Sequence, residues 1–288
     1  MPELPEVEVV KLGLEAQIVG KTFADLEVRQ PKILVNSEAE VRGLLKDQTV
    51  TKISRRAKYI LVYFERHLLL IHLRMTGQVI VRQAKDQGPL EPLPFTFERK
   101  ALDQIDKHVH CLLQFTDGTL FLYRDVRRFG RLELVALEAL PTHKGLSKLG
   151  VEPLEPEFTL THFKSLLHSK RQIKPFLLDQ TKVVGLGNIY VDEALFRAGI
   201  RPRRETCGLT SREIKKLHEA IPFVLNKAIA YGGTSLQDYL HVDGSKGTHQ
   251  EELLVYGRTH QPCLTCGTEL TRDVIAQRST HYCQCCQK

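Results

Sequence analysis

Two Cys-x-x-Cys pairs, Cys263/Cys266 and Cys283/Cys286, stand with sixteen residues between them at the C-terminal end of the chain. Four thiolates at this spacing form the ligand set of a tetrahedral zinc site, and an all-thiolate set leaves the ion no open position for water. The intervening chain must then turn back on itself. Residues 269–282 are therefore expected to form a β-hairpin held by one structural Zn2+. Cys285 offers an alternative sulfur, but Cys286 repeats the spacing of the first pair and is preferred. Seven cysteines is an odd count, and Cys111 and Cys207 read as ordinary thiols. This usage argues for metal and a reducing compartment rather than a disulfide framework.

Ahead of the cysteines the texture changes once. Residues 22–29, 49–54, 57–64, 67–73, 109–115, 119–123 and 130–135 all have strand character. Many short strands with few helices predict a sandwich or barrel. The helix of this half comes first: Val7, Val10, Leu14 and Ile18 recur at helical spacing behind prolines and acids suited to a first turn. From about residue 136, Pro141, Gly145, Gly150, Pro153 and Pro156 punctuate a linker. Helical patterns follow at 160–167, 175–180, 189–198 and 211–231. The fold class expected is multidomain α+β. Its parts are a β-rich domain over 1–136, a linker over 137–156, a helical domain over 157–256 and a metal-held finger over 257–288. A cleft between two such domains is a usual place for a ligand. Residues 83–107, charged and proline-bearing, read as a surface insertion.

The 288 residues suit two modest domains, and 42% hydrophobic against 26% charged content supports globular cores. A net charge of +7 fits a polyanionic partner without requiring one. No apolar stretch approaches the ~20 residues of a bilayer span. Acids and prolines stand where a signal peptide needs basic and apolar regions. No membrane partner is expected, and the location expected is cytoplasmic.

Pro2 has a chemical reading as well as a structural one. Methionine before a small residue is commonly trimmed, which would leave Pro2 as a free secondary amine. An α-amino group titrates near ~8, against ~10.4 for lysine, so it is partly deprotonated near neutral pH without burial. Such an amine can attack a carbon and form a covalent iminium. The iminium of proline has no N–H proton to lose, so it stays cationic and acts as an electron sink. Glu3 beside it and Glu6 one turn on make a plausible acid–base cluster.

The opening Met1-Pro2-Glu3-Leu4-Pro5-Glu6-Val7-Glu8 resembles the start of the bacterial formamidopyrimidine-DNA glycosylases, and further matches follow in family order to the last residues. That resemblance implies an N-terminal β-sandwich with an N-terminal helix, a helix–two-turn–helix domain and a zinc-finger hairpin. It implies a bifunctional glycosylase and lyase of base excision repair. The substrate would be double-stranded DNA carrying oxidised purines, bound by a monomer on the nucleoid. It implies Pro2 as nucleophile, Glu3 as acid and Glu6 as a supporting organiser. Arg55-Arg56-Ala57-Lys58-Tyr59 is similar to the segment whose lysine, here Lys58, contacts DNA and moves a proton during elimination. His72-Leu73-Arg74-Met75-Thr76-Gly77 and Tyr123-Arg124-Asp125-Val126-Arg127-Arg128-Phe129-Gly130 also match. There Met75, Arg127 and Phe129 would form the wedge that replaces an extruded nucleotide, with His72 and His108 on the DNA. His110 lies beside His108, in a Lys-His-Val-His run where the family more often has aspartate between the histidines. Val183-Val184-Gly185-Leu186-Gly187-Asn188 resembles the helix–two-turn–helix turn. Asn188 reads locally as a helix N-cap whose exposed N–H groups favour a phosphate. Lys170 and Lys174 precede it at DNA-contacting positions. Arg278 would clamp the lesion phosphates, beside Ser279 where many members have glycine. Residues 232–250 would cover the extruded base. Two rivals stand beside this reading: an endonuclease VIII-like enzyme for oxidised pyrimidines, and a non-catalytic zinc-ribbon DNA-binding protein.

Overall fold

Residues 1–83, 106–236 and 239–288 are described by the structure, a computed structural model. The expected insertion at 83–107 thus lies almost wholly outside the described residues, as do Gln237 and Asp238 of the glycine-rich loop. The chain divides into two compact units. One comprises residues 1–2, 6–146 and 234–247, the other 3–5, 147–233 and 248–288.

The first unit is a β-sandwich of two four-stranded antiparallel sheets. One has the order β1 (Phe23–Val28), β6 (Val109–Phe115), β7 (Leu120–Asp125), β5 (Gly77–Arg82). The other runs β2 (Lys52–Arg56), β3 (Tyr59–Tyr63), β4 (His67–His72), β8 (Arg131–Ala136). Alternate side chains of a strand face opposite ways. In β4, Leu69 and Ile71 enter the main core with Val7, Val10, Leu14 and Ile18 of α1 (Leu4–Ile18). Leu68 and Leu70 enter a second cluster against Leu137, Leu140 and Leu146. Burial on both faces explains why residues 68–71 are an unbroken apolar run rather than an alternating one. Segment 234–247 lies with this unit because Val81 N–H donates to Val242 O (2.9 Å) and Tyr239 and Val242 join the main core.

Two elements go beyond the sequence expectation. Strand β5 is buried at all six positions, so no alternation marks it. Helix α2 (Glu38–Leu45) is short, yet it carries its own start signal: Ser37 Oγ accepts the Glu40 N–H at 3.2 Å.

The second unit packs α3 (Leu160–Ser165), α4 (Ile173–Leu177), α5 (Asn188–Ala198) and α6 (Ser211–Ala230) around one core. It ends in the hairpin β9 (Thr271–Ile275) and β10 (Arg278–Tyr282). Helix α6 opens with a capping box between Thr210 and Glu213. Helix α5 is buried almost throughout and still carries two adjacent acids. Asp192 Oδ1 accepts from Lys174 Nζ at 2.6 Å, and its Oδ2 accepts the His281 N–H at 2.8 Å. Glu193 accepts the N–H groups of Leu254, Val255 and Tyr256, each at 2.9 Å. Burial pushes the Glu193 carboxyl up, against the pull of those donors. Helix α5 is thus the post to which α4, β10 and the approach to the finger are tied. Among the described residues no helix is long and apolar enough to cross a membrane.

Lys174 and Asp192 are both fully buried. Removing one partner of such a pair leaves an uncompensated buried charge. Lys174→Met should therefore lower unfolding free energy by about 3 kcal/mol in urea titrations. Lys170→Met, at an exposed position, should stay within about 0.5 kcal/mol.

Candidate functional site

The N-terminal cluster starts from a carboxylate at a helix end. The Ile189 and Tyr190 N–H groups donate to Glu3 Oε1 and Oε2 at 3.1 and 3.4 Å. These N–H groups have no partner within α5, and the helix's positive end faces the anion. Leu4 N–H donates to Gly185 O at 3.0 Å, fixing the chain on either side of the contact. Glu3 is buried, and a Cβ at Gly187 would lie 2.3 Å from its Cδ. Only glycine at 187 lets the carboxylate reach the helix.

That arrangement corrects one expectation. Asn188 is not the N-cap. Gly187 holds that position without a side-chain bond, and the amides expected to face a phosphate face Glu3. Asn188 Nδ2 instead donates to Ser279 O at 2.8 Å, and Lys174 Nζ donates to the same carbonyl at 2.9 Å. Lys174 is therefore placed inside the unit rather than at a DNA-facing surface. Burial lowers its ammonium pKa, opposed by the Asp192 charge. Lys170 is exposed.

Ser279 sits on the hairpin beside Arg278, and Ala276 and Gln277 both take the left-handed conformation (φ 48° and 60°). Two such residues make the tight turn whose twist matches a hairpin. It leaves Arg278 exposed at the first position of β10. Lys174, Asn188 and the Asp192–His281 bond hold the strand that carries this arginine.

The finger below it fits its metal. The Sγ atoms of Cys263, Cys266, Cys283 and Cys286 all lie within 4.8 Å of one another. The Cys263–Cys286 and Cys266–Cys283 separations are 3.9 and 3.5 Å. Zn–S bonds of about 2.3 Å in a tetrahedron require sulfurs about 3.8 Å apart, whereas a disulfide needs about 2.05 Å. The four thiolates would hold one structural Zn2+, and Cys285 stands outside the set.

In the first unit Glu6 is buried and accepts the Thr234 N–H at 2.8 Å, fastening the start of segment 234–247. Burial, aided by the Glu6 charge, raises the Tyr239 hydroxyl pKa in that segment. Lys58 follows Ala57, which is left-handed (φ 53°), in the turn between β2 and β3. Arg55 steadies that turn, donating to Ala57 O at 3.0 Å and to Glu8 at 2.7 Å.

His72 Nδ1 accepts the Arg74 N–H at 3.0 Å, so the neutral ring carries its proton on Nε2. Tyr59 packs edge-on against it at 4.5 Å. Burial first, then the Arg74 and Lys58 charges, lower its pKa to about 3. His72 can thus donate a hydrogen bond without changing charge near neutral pH.

Beyond His72 lie two loops of similar build. Met75 and Phe129 are exposed at 39% and 49%, one at the tip of each loop. Each directly follows an arginine in the left-handed region, Arg74 (φ 54°) and Arg128 (φ 58°). Such a backbone costs on the order of 1 kcal/mol at each residue. The Arg127 guanidinium lies over the Phe129 ring, 4.7 Å from its centre. Under both loops sits the fully buried Asp125. Its Oδ1 accepts from Thr76 Oγ1 (2.5 Å) and Arg127 N–H (3.1 Å), and its Oδ2 accepts from Gly130 N–H (2.8 Å). His110 Nε2 donates to Asp125 O at 2.8 Å, so His110 is a buried support, while His108 is half-buried. Sequence reasoning passes over Asp125 and Thr76. The available signal was one acid set in an arginine-rich run, beside a threonine in the other loop.

Comparisons with known proteins cover the whole chain. Models of the formamidopyrimidine-DNA glycosylase N-terminal domain, the formamidopyrimidine-DNA glycosylase H2TH domain and the zinc finger found in FPG and IleRS match residues 1–132, 149–239 and 261–288. The formamidopyrimidine-DNA glycosylase of Bacillus cereus is 42% identical over 290 residues, covering 100% of this chain and 99% of that one. The Enterococcus faecalis protein of the same name is also 42% identical, over 100% and 98% of the two chains. Among solved structures, Lactococcus lactis Fpg bound to abasic-site DNA aligns with a TM-score of 0.86 at 37% identity, covering 99% of each chain. Its complex with Fapy-dG-containing DNA aligns at 0.85 and 37%, over 99% and 100%. Such a fold and finger define a DNA-repair class, and the chain belongs to the formamidopyrimidine-DNA glycosylase family.

Metal removal gives one test. Chelation should release one Zn2+ per chain and unfold the finger, because a site of this kind contributes folding energy outright. Cys286→Ser should mimic that loss, and Cys285→Ser should retain the metal. The His72 ring should show no titration between pH 5 and 9 by NMR. Its lowered pKa makes the unfolded chain the stronger proton binder between pH 6.5 and about 3. The stability it contributes is present above pH 6.5 and is lost as pH falls through that window.

Proposed function

We propose that this protein is a bifunctional DNA glycosylase and apurinic/apyrimidinic lyase of base excision repair, releasing 8-oxoguanine and formamidopyrimidines from duplex DNA. The observation that carries the reading is the Glu3 carboxylate, seated on the α5 amides directly after Pro2 in the chain. Removal of Met1 would free the Pro2 nitrogen next to a carboxylate whose position is fixed. The full-length likeness to formamidopyrimidine-DNA glycosylases and to Fpg–DNA complexes supports the same reading.

The damaged nucleotide must leave the stack before its C1′ can be reached. Backbone charge supplies much of the affinity. The exposed Lys170 and Arg278 and the Nε2–H of His72 are suited to phosphates, with His108 beside them on the DNA. Lys174 and Asn188 act indirectly, through the carbonyl of Ser279. Met75, Arg127 and Phe129 fill the vacated base step. Pro2 passes its proton to Glu3 and attacks C1′. Glu3 returns the proton to the sugar oxygen as the ring opens, and the base departs with its bonding electrons. The resulting iminium is cationic and acidifies C2′. Lys58 assists proton transfer in the first elimination. Arg278, on the lesion phosphates, assists the second, so that both flanking phosphates are cut away. Glu6 organises the amine's surroundings and takes no proton in the cycle. Zinc contributes only structure. The compartment we infer is the cytoplasm, on the nucleoid.

Borohydride reduction should trap a covalent protein–DNA adduct with 8-oxoguanine duplex, and mass spectrometry should place it on Pro2 in chains lacking Met1. A variant that retains Met1 should lose trapping by at least about 1000-fold, since an amide nitrogen is no nucleophile. Faster turnover of thymine glycol than of 8-oxoguanine would favour the pyrimidine enzyme instead. Absence of any adduct with the mature chain would favour a non-catalytic binder.

A further inference from the structure

We propose that Asp125 is a positioning residue for base extrusion, joining the two exposed loops into one rigid wedge. The inference rests on the proposed function, which requires a nucleotide to leave the helix. It deepens that reading by naming the group that holds the wedge.

Loops with exposed apolar tips are ordinarily pliable, and a pliable loop cannot push a base out of its stack. Pushing requires the tips to keep their place while the stacking force acts on them. The chain meets this need with one buried carboxylate. Asp125 accepts from the first loop through Thr76 Oγ1, the residue after Met75. It accepts from the second through the N–H groups of Arg127 and Gly130, which bracket Phe129 within four residues. Thr76 Oγ1 also accepts the Arg127 N–H at 3.1 Å, closing a ring of bonds across the two loops. Strand pairing supports the carboxylate from below, since Asp125 N–H donates to His108 O (2.9 Å) and His110 donates back to Asp125 O.

Packing tells the same story. The Tyr123 ring is fully buried directly beneath both loops. A Cβ at Gly130 would meet its hydroxyl at 1.6 Å, and one at Gly77 at 2.5 Å. The two glycines allow both loops to close down on the same tyrosine. Left-handed Arg74 and Arg128 stand immediately before the two exposed tips, so both loops carry strain at equivalent places. Strain of that kind persists only where the surroundings over-determine the backbone. The carboxylate, with its three donors, does this for both.

Asp125→Asn tests the idea. An amide keeps one acceptor and turns a donor toward donors, which uncouples the loops while nearly preserving volume. Base release from 8-oxoguanine duplex should fall about 10- to 100-fold in kcat/KM, the scale of losing hydrogen bonds to a buried charged group. Borohydride trapping on a single-stranded abasic oligonucleotide needs no extrusion and should fall less than about 3-fold. Thr76→Val, which removes only the hydroxyl link, should shift the duplex-to-single-strand ratio in the same direction by about 5-fold. Thermal melting of both variants guards against global unfolding. Equal losses on both substrates in a folded Asp125→Asn protein would overturn the positioning role, as would no loss on duplex. Failure of the wild-type chain to trap on either substrate would instead overturn the proposed function itself.

Discussion

A carboxylate held by the first amides of a buried helix is the contact on which the rest of this arrangement leans. Glu3 could not reach the start of α5 if residue 187 carried a side chain, and α5 could not remain buried with its leading N–H groups unanswered. The same helix then carries Asp192 and Glu193, which tie down α4, β10 and residues 254–256. The carboxylate next to Pro2 and the strand bearing Arg278 are thus referenced to one rigid element. A site on helices and strands keeps its geometry better than one on loops alone.

The device recurs. Among the described residues the buried acids are Glu3, Glu6, Asp125, Asp192 and Glu193, and the buried bases are Lys58, Arg82 and Lys174. Each of those acids accepts at least one backbone N–H. Backbone donors in irregular segments have no ladder to join, and a buried carboxylate satisfies two or three at once. There is a consequence for the exterior. A chain of net charge +7 that turns more acids than bases inward presents a more positive surface than its composition suggests. A polyanion would meet that surface, while the acids act as internal fasteners.

Rigidity is distributed unevenly along the same logic. The sandwich supplies a stiff base, and the strained turns at Ala57, Arg74 and Arg128 each lie beside a residue assigned to DNA or chemistry. Asp125 and Tyr123 confine the two loops that carry Met75 and Phe129, and segment 234–247 is fastened through Thr234 and Val242.

Much of this was legible in the residues themselves. The spacing of Cys263, Cys266, Cys283 and Cys286 specified the finger, because ligand geometry admits few alternatives. Short apolar and β-branched runs set between turn residues located most strands, and the apolar spacing of Val7, Val10, Leu14 and Ile18 located the first helix. Strand β5 escaped because its apolar run is only Val79-Ile80-Val81, too short to mark a strand without alternation beside it, and α2 escaped because its signal is one capping serine. The partners of polar side chains were beyond reach altogether. Nothing local distinguishes a lysine facing phosphate from Lys174 facing Asp192, or an asparagine cap from Asn188 holding the Ser279 carbonyl. Pairs such as Glu3 with Ile189, or Thr76 with Asp125, are separated by 186 and 49 residues. Sequence determined which groups were present and the order in which they came. Only the folded chain decided which donor each buried acid answers, because that choice is made by long-range packing and the desolvation of every alternative.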